Sequence, residues 1–205
     1  MEKRKMKLWK KVLIAILIIF IILVILAIWR YNILTDIYEK NNEKFSTSNY
    51  YYYSKTDDTI MESWKKDQIT KVNLKQVNGE GDVTIWKNES TGEEYVFYNK
   101  QKIYTESQGA VLGTTPAGFS LEPDTNNRIL IAINPIVYIG TKEYDNKECY
   151  YVKIDEQEEY IEKETGLIIH STSEIGERNI TYRFNDITDE EIEMPDINQY
   201  EHSGI

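Results

Sequence analysis

One apolar segment constrains this chain more than any other feature. Residues 12–29 read VLIAILIIFIILVILAIW, eighteen consecutive apolar residues. As an α-helix this segment extends about 27 Å, close to the hydrocarbon thickness of a bilayer. The chain has 205 residues and can form only a small domain. The core of such a domain does not need a helix that is apolar on every side. The segment is therefore predicted to be a transmembrane helix.

The flanks of the segment favour an uncleaved anchor over a secretory signal peptide. A signal peptide carries about 7–15 apolar residues and a small-residue cleavage site, whereas this longer run ends in Ala-Ile-Trp-Arg. Arg30 alone follows closely, while basic residues crowd the other side: Lys3, Arg4, Lys5, Lys7, Lys10 and Lys11. The positive-inside rule then places the N-terminus in the cytoplasm, with Trp9 and Trp29 at the two membrane interfaces. The sequence predicts a single-pass protein of the cell membrane whose C-terminal domain is extracytoplasmic.

The predicted organisation has five segments in chain order. They are a cytoplasmic tail (1–11), the transmembrane helix (12–30), an amphipathic connecting helix (31–48), the extracytoplasmic domain (49–200) and a tail (201–205). The connecting helix carries an apolar stripe at helical spacing, formed by Ile33, Leu34, Ile37, Tyr38 and Phe45. Such a stripe is expected to contact the core of the domain.

Charge and cysteine content narrow the classes of partner. Of 24 basic and 34 acidic residues, seven and one lie in residues 1–30, so the rest of the chain has a net charge of −16. A domain this acidic repels phosphate backbones, so no nucleic-acid partner is expected. Cys149 is the only cysteine. The domain therefore has no internal disulfide and depends on its core for stability.

The region after residue 48 alternates with the period of a β-strand. Tyr50 and Tyr52 are expected on one face and Tyr51 and Tyr53 on the other. Further strand patterns follow at short spacings with turn residues between them. The predicted fold class is mainly β (α+β), a curved antiparallel sheet or incomplete β-barrel with covering helices.

Two segments in the middle of the chain break this pattern. Ser107–Arg128 is rich in glycine and proline yet carries apolar side chains, which is typical of a functional loop such as a lid. The following NNRILIAIN, before Pro135, is predicted to be one short buried helix that the proline ends. A strand is the alternative for this second segment.

Aromatic side chains on both faces of the strands indicate that the second face is covered too. Either the lid or an apolar ligand could cover it, because tyrosine offers a large apolar body with a polar tip. Ordinary β-propensity explains the same aromatic content without a ligand. The candidate groove and lid residues are Tyr51, Tyr53, Trp86, Tyr98, Val111, Leu112 and Phe119.

The stretch EEYIEKETGLIIHS, residues 158–171, combines carboxylates with a histidine and is the strongest candidate for acid–base chemistry. Strand alternation spreads those carboxylates over two faces and a turn, so a β-hairpin with Gly166 at a positive φ is the better interpretation. His170 is predicted to be a surface residue of a strand, and Cys149 a small strand residue. We find no catalytic, metal or cofactor motif, and the chain is not predicted to be an enzyme.

The C-terminal third resembles the closing portion of the LolA/LolB-type lipoprotein-carrier superfamily, which also includes sigma-factor-regulator-like domains. The resemblance rests on Tyr160-Ile161-Glu162, on Thr165-Gly166-Leu167, and on a final strand with an acidic link, in which the matching residues are Phe184, Asp186, Ile187, Pro195 and Asp196. It covers about a third of the chain well and the rest in outline. It implies an incomplete β-barrel whose cavity, plugged by helices, holds acyl chains or lipidated partners.

Two departures limit what the resemblance implies. Carriers are soluble, whereas this chain is predicted to be tethered, and carriers latch the lid with an arginine on an early strand. No arginine lies between Tyr31 and Asn127. The expected function is a membrane-anchored binding or sensor domain with an apolar groove for a lipid, an acyl chain or a lipidated or peptide partner. The alternatives are an accessory or regulatory subunit of an envelope complex, acting through a membrane-protein partner, and, more remotely, a hydrolase.

Overall fold

The computed structural model of the chain describes residues 2–47, 49–79, 81–106, 125–173 and 176–203. Three α-helices lie in these ranges: α1 (Glu2–Thr47), α2 (Thr125–Ile133) and α3 (Asp189–Ile192). A 3-10 helix spans Ile197–Gln199. Among the described residues, α1 is the one helix long and apolar enough to cross a membrane.

The described strands form one sheet. They are β1 (Tyr50–Lys55), β2 (Thr59–Lys66), β3 (Ile69–Gln76), β4 (Asp82–Asn88), β5 (Glu93–Tyr98), β6 (Ile103–Glu106), β7 (Tyr138–Tyr144), β8 (Lys147–Ile154), β9 (Gln157–Glu162), β10 (Ile168–Ser173), β11 (Gly176–Phe184) and β12 (Glu201–His202). Their order across the sheet is β12-β6-β5-β4-β3-β2-β1-β11-β10-β9-β8-β7. Because β12 and β7 lie at opposite edges, the sheet stays open. The predicted fold class, mainly β with an open sheet and helices, is confirmed.

All but one of the described strand pairs are antiparallel, which follows from the short turns between consecutive strands. The pairing of β1 with β11 joins an N-terminal meander to a C-terminal one. The exception is β12, which pairs in parallel with β6. Residues 201–202, expected in a tail, therefore form an edge strand.

One helix, α1, covers the three segments predicted as tail, transmembrane helix and connecting helix. Its last part packs on one face of the sheet, which we call the helix face. Ile33, Leu34 and Ile37 are buried there with Tyr50 and Tyr52 of β1. The predicted apolar stripe and the predicted alternation of the tyrosines are both confirmed.

The helix face carries the larger part of the core. Beside the cluster under α1, a second group on β3, β4 and β5 is formed by Val72, Ile85 and Val96. Met61 of β2 packs against both groups and links them. Burial of these aliphatic side chains contributes most of the stability of such a domain, which has no disulfide.

The β9–β10 hairpin, predicted from residues 158–171, is confirmed and contacts α1. Gly166 has a φ of +70°, and a Cβ there would lie 2.7 Å from the Ile37 carbonyl oxygen and 2.8 Å from the Lys40 Cβ. Lys40 Nζ donates to the Lys163 carbonyl oxygen at 2.6 Å. Glycine is thus required twice, for its left-handed backbone and for the close approach of the hairpin to the helix.

Two expectations about individual residues are wrong. His170 lies on β10 as predicted, but it is buried rather than on the surface because the Tyr144 ring stacks on it, with centroids 4.5 Å apart. The segment before Pro135 is a helix as predicted, but it is not a buried one. Ala132 is buried in the core and Ile131 packs against it, whereas Ile129, Leu130 and Ile133 are exposed.

Candidate functional site

The sequence-predicted groove residues fall on both faces of the sheet. Tyr51 and Trp86 lie on the face opposite to α1, and Tyr53 is half-buried on that same face. Tyr98 packs on the helix face, against the cluster of Val72, Ile85 and Val96. Val111, Leu112 and Phe119 lie outside the described residues. The four described residues therefore do not line a common groove.

Tyr51 and Trp86 are covered by the chain's own C-terminal segment. Ile187 and Ile192, which flank and end α3, are buried against Trp64, and Tyr51 packs on the same cluster. Trp86 Nε1 donates to the Ile192 carbonyl oxygen at 2.9 Å. These aromatic side chains need no ligand to explain their burial.

Polar contacts fix Tyr51 further. Its hydroxyl donates to Glu62 at 2.8 Å, and the Arg183 guanidinium lies 4.7 Å from the ring centroid. Arg183 also forms an ion pair with Glu191 of α3. Burial, followed by the hydrogen bond to Glu62, raises the pKa of Tyr51. The phenol thus stays protonated at neutral pH and acts as a donor that orients Glu62.

The acid–base candidates of the β9–β10 hairpin are separated and paired. Glu158 Oε1 lies 2.7 Å from Lys153 Nζ, and Glu162 Oε1 lies 2.8 Å from Lys147 Nζ. Burial alone would raise the pKa of Glu162, but hydrogen bonds from Lys147 and Thr165 lower it overall. Each carboxylate therefore serves its own ion pair, and the two do not form an acid–base couple.

His170 and Cys149 are held in structural positions. His170 Nδ1 lies 2.7 Å from Asn179 Oδ1 and 3.1 Å from the Tyr144 hydroxyl. Cys149 is fully buried in β8, and burial, followed by the Glu162 charge, raises the pKa of its thiol. Such a thiol is a poor nucleophile. Within the described ranges, no group of three or more potential ligand side chains could hold a metal ion.

An apolar cavity lies where α1 meets α2 and β7. We call it the junction pocket. It has a volume of about 940 Å³, and its walls come from residues 20–30 of α1, from residues 132–137 and from the first residues of β7. Phe20, Leu23 and Val24 of the apolar segment line it together with Ile133, Pro135 and Tyr138. None of the four described groove candidates lines this pocket.

Arg30 provides the polar end of the junction pocket. Its Nη2 donates to the carbonyl oxygens of Ile131 at 3.2 Å and Asn134 at 3.0 Å, and also to that of Val137. Of these acceptors, Ile131 lies in the last turn of α2 and its carbonyl also accepts from the Asn134 N–H, whereas Asn134 and Val137 lie in the turn after the helix. The guanidinium thereby fixes the turn after α2 against α1.

Two sequence features mark the separate walls of the junction pocket, although they do not show that the walls meet. Residues 129–141 carry no charged side chain and lead directly into a predicted strand. Arg30 is the single charge at the end of the apolar segment. What links them is the contact between α1 and α2, which are separated by about a hundred residues along the chain, and neither pattern encodes that contact.

Comparisons with known proteins add the fold alone. No protein-family model matches the chain, and no curated protein is similar to it in sequence. Among solved structures, an uncharacterized conserved protein from Thermus thermophilus is similar, with a TM-score of 0.51 and 8% sequence identity. The match covers 82% of this chain and 97% of that one. The open sheet with its covering helices is thus an arrangement that this chain shares with a protein of very different sequence.

Proposed function

We propose that the chain is a single-pass membrane protein whose extracytoplasmic sheet domain binds an acyl chain, of a lipid or of a lipidated partner, in the junction pocket. The observation that carries this proposal is the pocket itself. Its volume of about 940 Å³ lies within the range of small-molecule sites, and its walls are mainly aliphatic. One wall belongs to the apolar segment of α1, so an acyl chain could enter sideways from the bilayer.

The chemistry at the two ends of the pocket suits an amphipathic ligand. Phe20, Leu23 and Val24 of α1 offer apolar contacts about two to three helical turns before Arg30. Arg30 lies at the other end, beside the backbone carbonyls that it satisfies. Because lipid tails are as apolar as these side chains, an acyl chain that enters from the bilayer gains affinity from van der Waals packing in the pocket and not from transfer out of water. The resemblance of β9, β10 and β11 to lipoprotein carriers supports the same class of ligand.

Native mass spectrometry of the full-length protein, released from nanodiscs, tests the proposal. Ala27→Trp fills the pocket, because Ala27 lines it, whereas Ile28→Trp places the same indole at an exposed neighbour outside the lining. We expect one lipid to persist on the wild type and on Ile28→Trp at collision energies that strip the remaining lipids. Ala27→Trp should lose it. Equal retention by the two variants, or a lipid-free wild type, would contradict the proposal.

A further inference from the structure

A surface of exposed apolar side chains lies next to the junction pocket. On α2, Ile129, Leu130 and Ile133 are 46%, 61% and 58% exposed, and beyond it Ile136 and Tyr138 are 65% and 57% exposed. We call these five residues the α2 surface. A soluble domain rarely exposes a contiguous apolar patch of this kind without a partner.

The position of the α2 surface along α1 indicates what covers it. Ile133 and Tyr138 line the same pocket as Phe20 and Leu23. Phe20 precedes Arg30 by ten residues, which corresponds to about 15 Å along a helix. When residues 12–29 occupy the hydrocarbon of a bilayer, the end of α2 and the start of β7 lie at the depth of the last turns of that span.

The distribution of charged residues and the backbone hydrogen bonds around α2 are both consistent with this depth in the bilayer. No charged residue occurs from Ile129 to Thr141, and Arg128 and Lys142 bound the uncharged run. Arg128 turns toward α1, with its guanidinium 4.8 Å from the Tyr38 ring centroid. Backbone carbonyls left unpaired in a bilayer cost several kcal/mol each, and Arg30 satisfies those of Ile131, Asn134 and Val137.

From these observations we infer that the α2 surface is inserted into the outer leaflet, at the boundary between the headgroups and the hydrocarbon, beside the span of α1. The partner is the phospholipid bilayer itself, and Tyr138 contributes an aromatic ring of the kind favoured at that boundary. The domain then touches the membrane at two places and has a fixed tilt. This inference rests on the proposed membrane anchoring of α1, and it does not require a ligand in the junction pocket.

Spin-label accessibility in the full-length protein tests the inference. The protein is placed in nanodiscs that contain zwitterionic and anionic phospholipids. Single labels at Leu130→Cys and Ile136→Cys are then compared with a control label at Thr91→Cys. Thr91 is exposed in the turn between β4 and β5. Cys149 is fully buried and should therefore react little with the spin label. Labelling of the unsubstituted protein measures this background. We expect the ratio of oxygen to nickel-complex collision rates to be severalfold higher at the two α2-surface positions than at Thr91.

Each other result overturns the inference in a distinct way. High nickel accessibility at positions 130 and 136 would place the α2 surface in water. Low accessibility to both reagents would place it against a protein, either a second copy or a membrane-protein partner. The Ala27→Trp variant separates this inference from the proposed function. If that variant loses the bound lipid but the collision rates at positions 130 and 136 stay unchanged, the result concerns only the junction pocket and not the insertion of the α2 surface.

Discussion

The last part of α1 and α2 both carry apolar side chains and pack against each other, but they expose those side chains to different extents. Ile33, Leu34 and Ile37 of α1 are buried on the sheet, whereas Leu130 and Ile133 of α2 are exposed. The difference is one of partners. The stripe of α1 faces a sheet that the chain itself supplies, and the apolar side of α2 faces a region where we propose a bilayer. Amphipathic spacing therefore identifies an apolar face but does not identify what that face contacts.

The largest expected difference comes from shortening one apolar side chain on each helix. Ile37 is 1% exposed, so Ile37→Ala should leave a cavity and lower the free energy of unfolding by about 2–5 kcal/mol. Leu130→Ala should change it by less than about 0.5 kcal/mol in a mild detergent. Urea unfolding followed by tryptophan fluorescence measures both. Equal losses would mean that α2 is a core helix after all.

A pair of glycines tests how tightly the β9–β10 hairpin is seated on α1. Gly166 and Gly92 both have a positive φ, but a Cβ meets the α1 backbone only at Gly166 and nothing within 4 Å at Gly92. Gly92→Ala should cost about 1–2 kcal/mol for its backbone conformation alone. Gly166→Ala should cost about 1–3 kcal/mol more, because the hairpin must move away from the helix. Similar unfolding midpoints for the two variants would contradict the close contact.

Arg30 is expected to stabilise α2 locally rather than the whole domain. In Arg30→Met the side chain stays long but loses its donors, so the carbonyls of Asn134 and Val137 lose their bonds to Arg30, while that of Ile131 keeps the bond from the Asn134 N–H. An unsatisfied buried acceptor costs about 1–3 kcal/mol. Hydrogen exchange should accelerate in a peptide covering residues 128–138, while a peptide covering 147–162 serves as the unchanged reference. Equal acceleration in both peptides would indicate a global effect instead.

The smallest effect concerns a tyrosine that links the sheet to α1. Burial, followed by the hydrogen bond that the Tyr150 hydroxyl donates to Asp36 at 2.9 Å, raises the pKa of Tyr150 to about 12. An unfolded tyrosine has a pKa of about 10. The folded state thus holds the proton more tightly, and this contribution is complete below pH 10 and is lost as the pH rises from about 10 to about 12.

Urea titrations at pH 8, 10 and 11 measure this slope. Tyr150→Phe should make the loss of stability in the alkaline range shallower without abolishing it. Burial, followed by the Glu89 charge, also raises the pKa of Tyr50 to about 12, so that group titrates in the same window. An unchanged slope in Tyr150→Phe would show that the hydrogen bond to Asp36 does not couple folding to ionisation.

The sequence was sufficient for features that depend on local periodicity. The spacing of Ile33, Leu34 and Ile37 identified the buried stripe, and the alternation of the β1 tyrosines separated the two faces. The composition of residues 158–171 predicted the hairpin, although its contact with α1 depends on a residue more than a hundred positions away. The hairpin, its turn and the alternation of faces along a single strand were therefore accessible, because their determinants are adjacent in the chain, whereas the pairing of β1 with β11 was not.

Local periodicity does not predict which element covers each face of the sheet. Tyr51 and Trp86 looked like groove residues because nothing nearby in sequence covers them, and α3 with Ile187 and Ile192 covers them from the far end of the chain. His170 was predicted to be a surface residue, but the Tyr144 ring stacks on it and covers it. The junction pocket likewise depends on the meeting of α1 with α2, so its residues could not be selected from periodicity.

We propose that one continuous helix, α1, serves as both membrane anchor and core element and thereby holds the α2 surface at a fixed depth. Electron–electron spin distances between labels at Leu8→Cys and Asn42→Cys test it in full-length protein in nanodiscs, since both positions are exposed on α1 and Cys149 is buried. A continuous helix predicts one narrow distribution at about 51 Å, from a rise of about 1.5 Å per residue. A broad distribution, or a markedly shorter distance, would mean that α1 breaks near Arg30 and that the domain moves freely above the membrane.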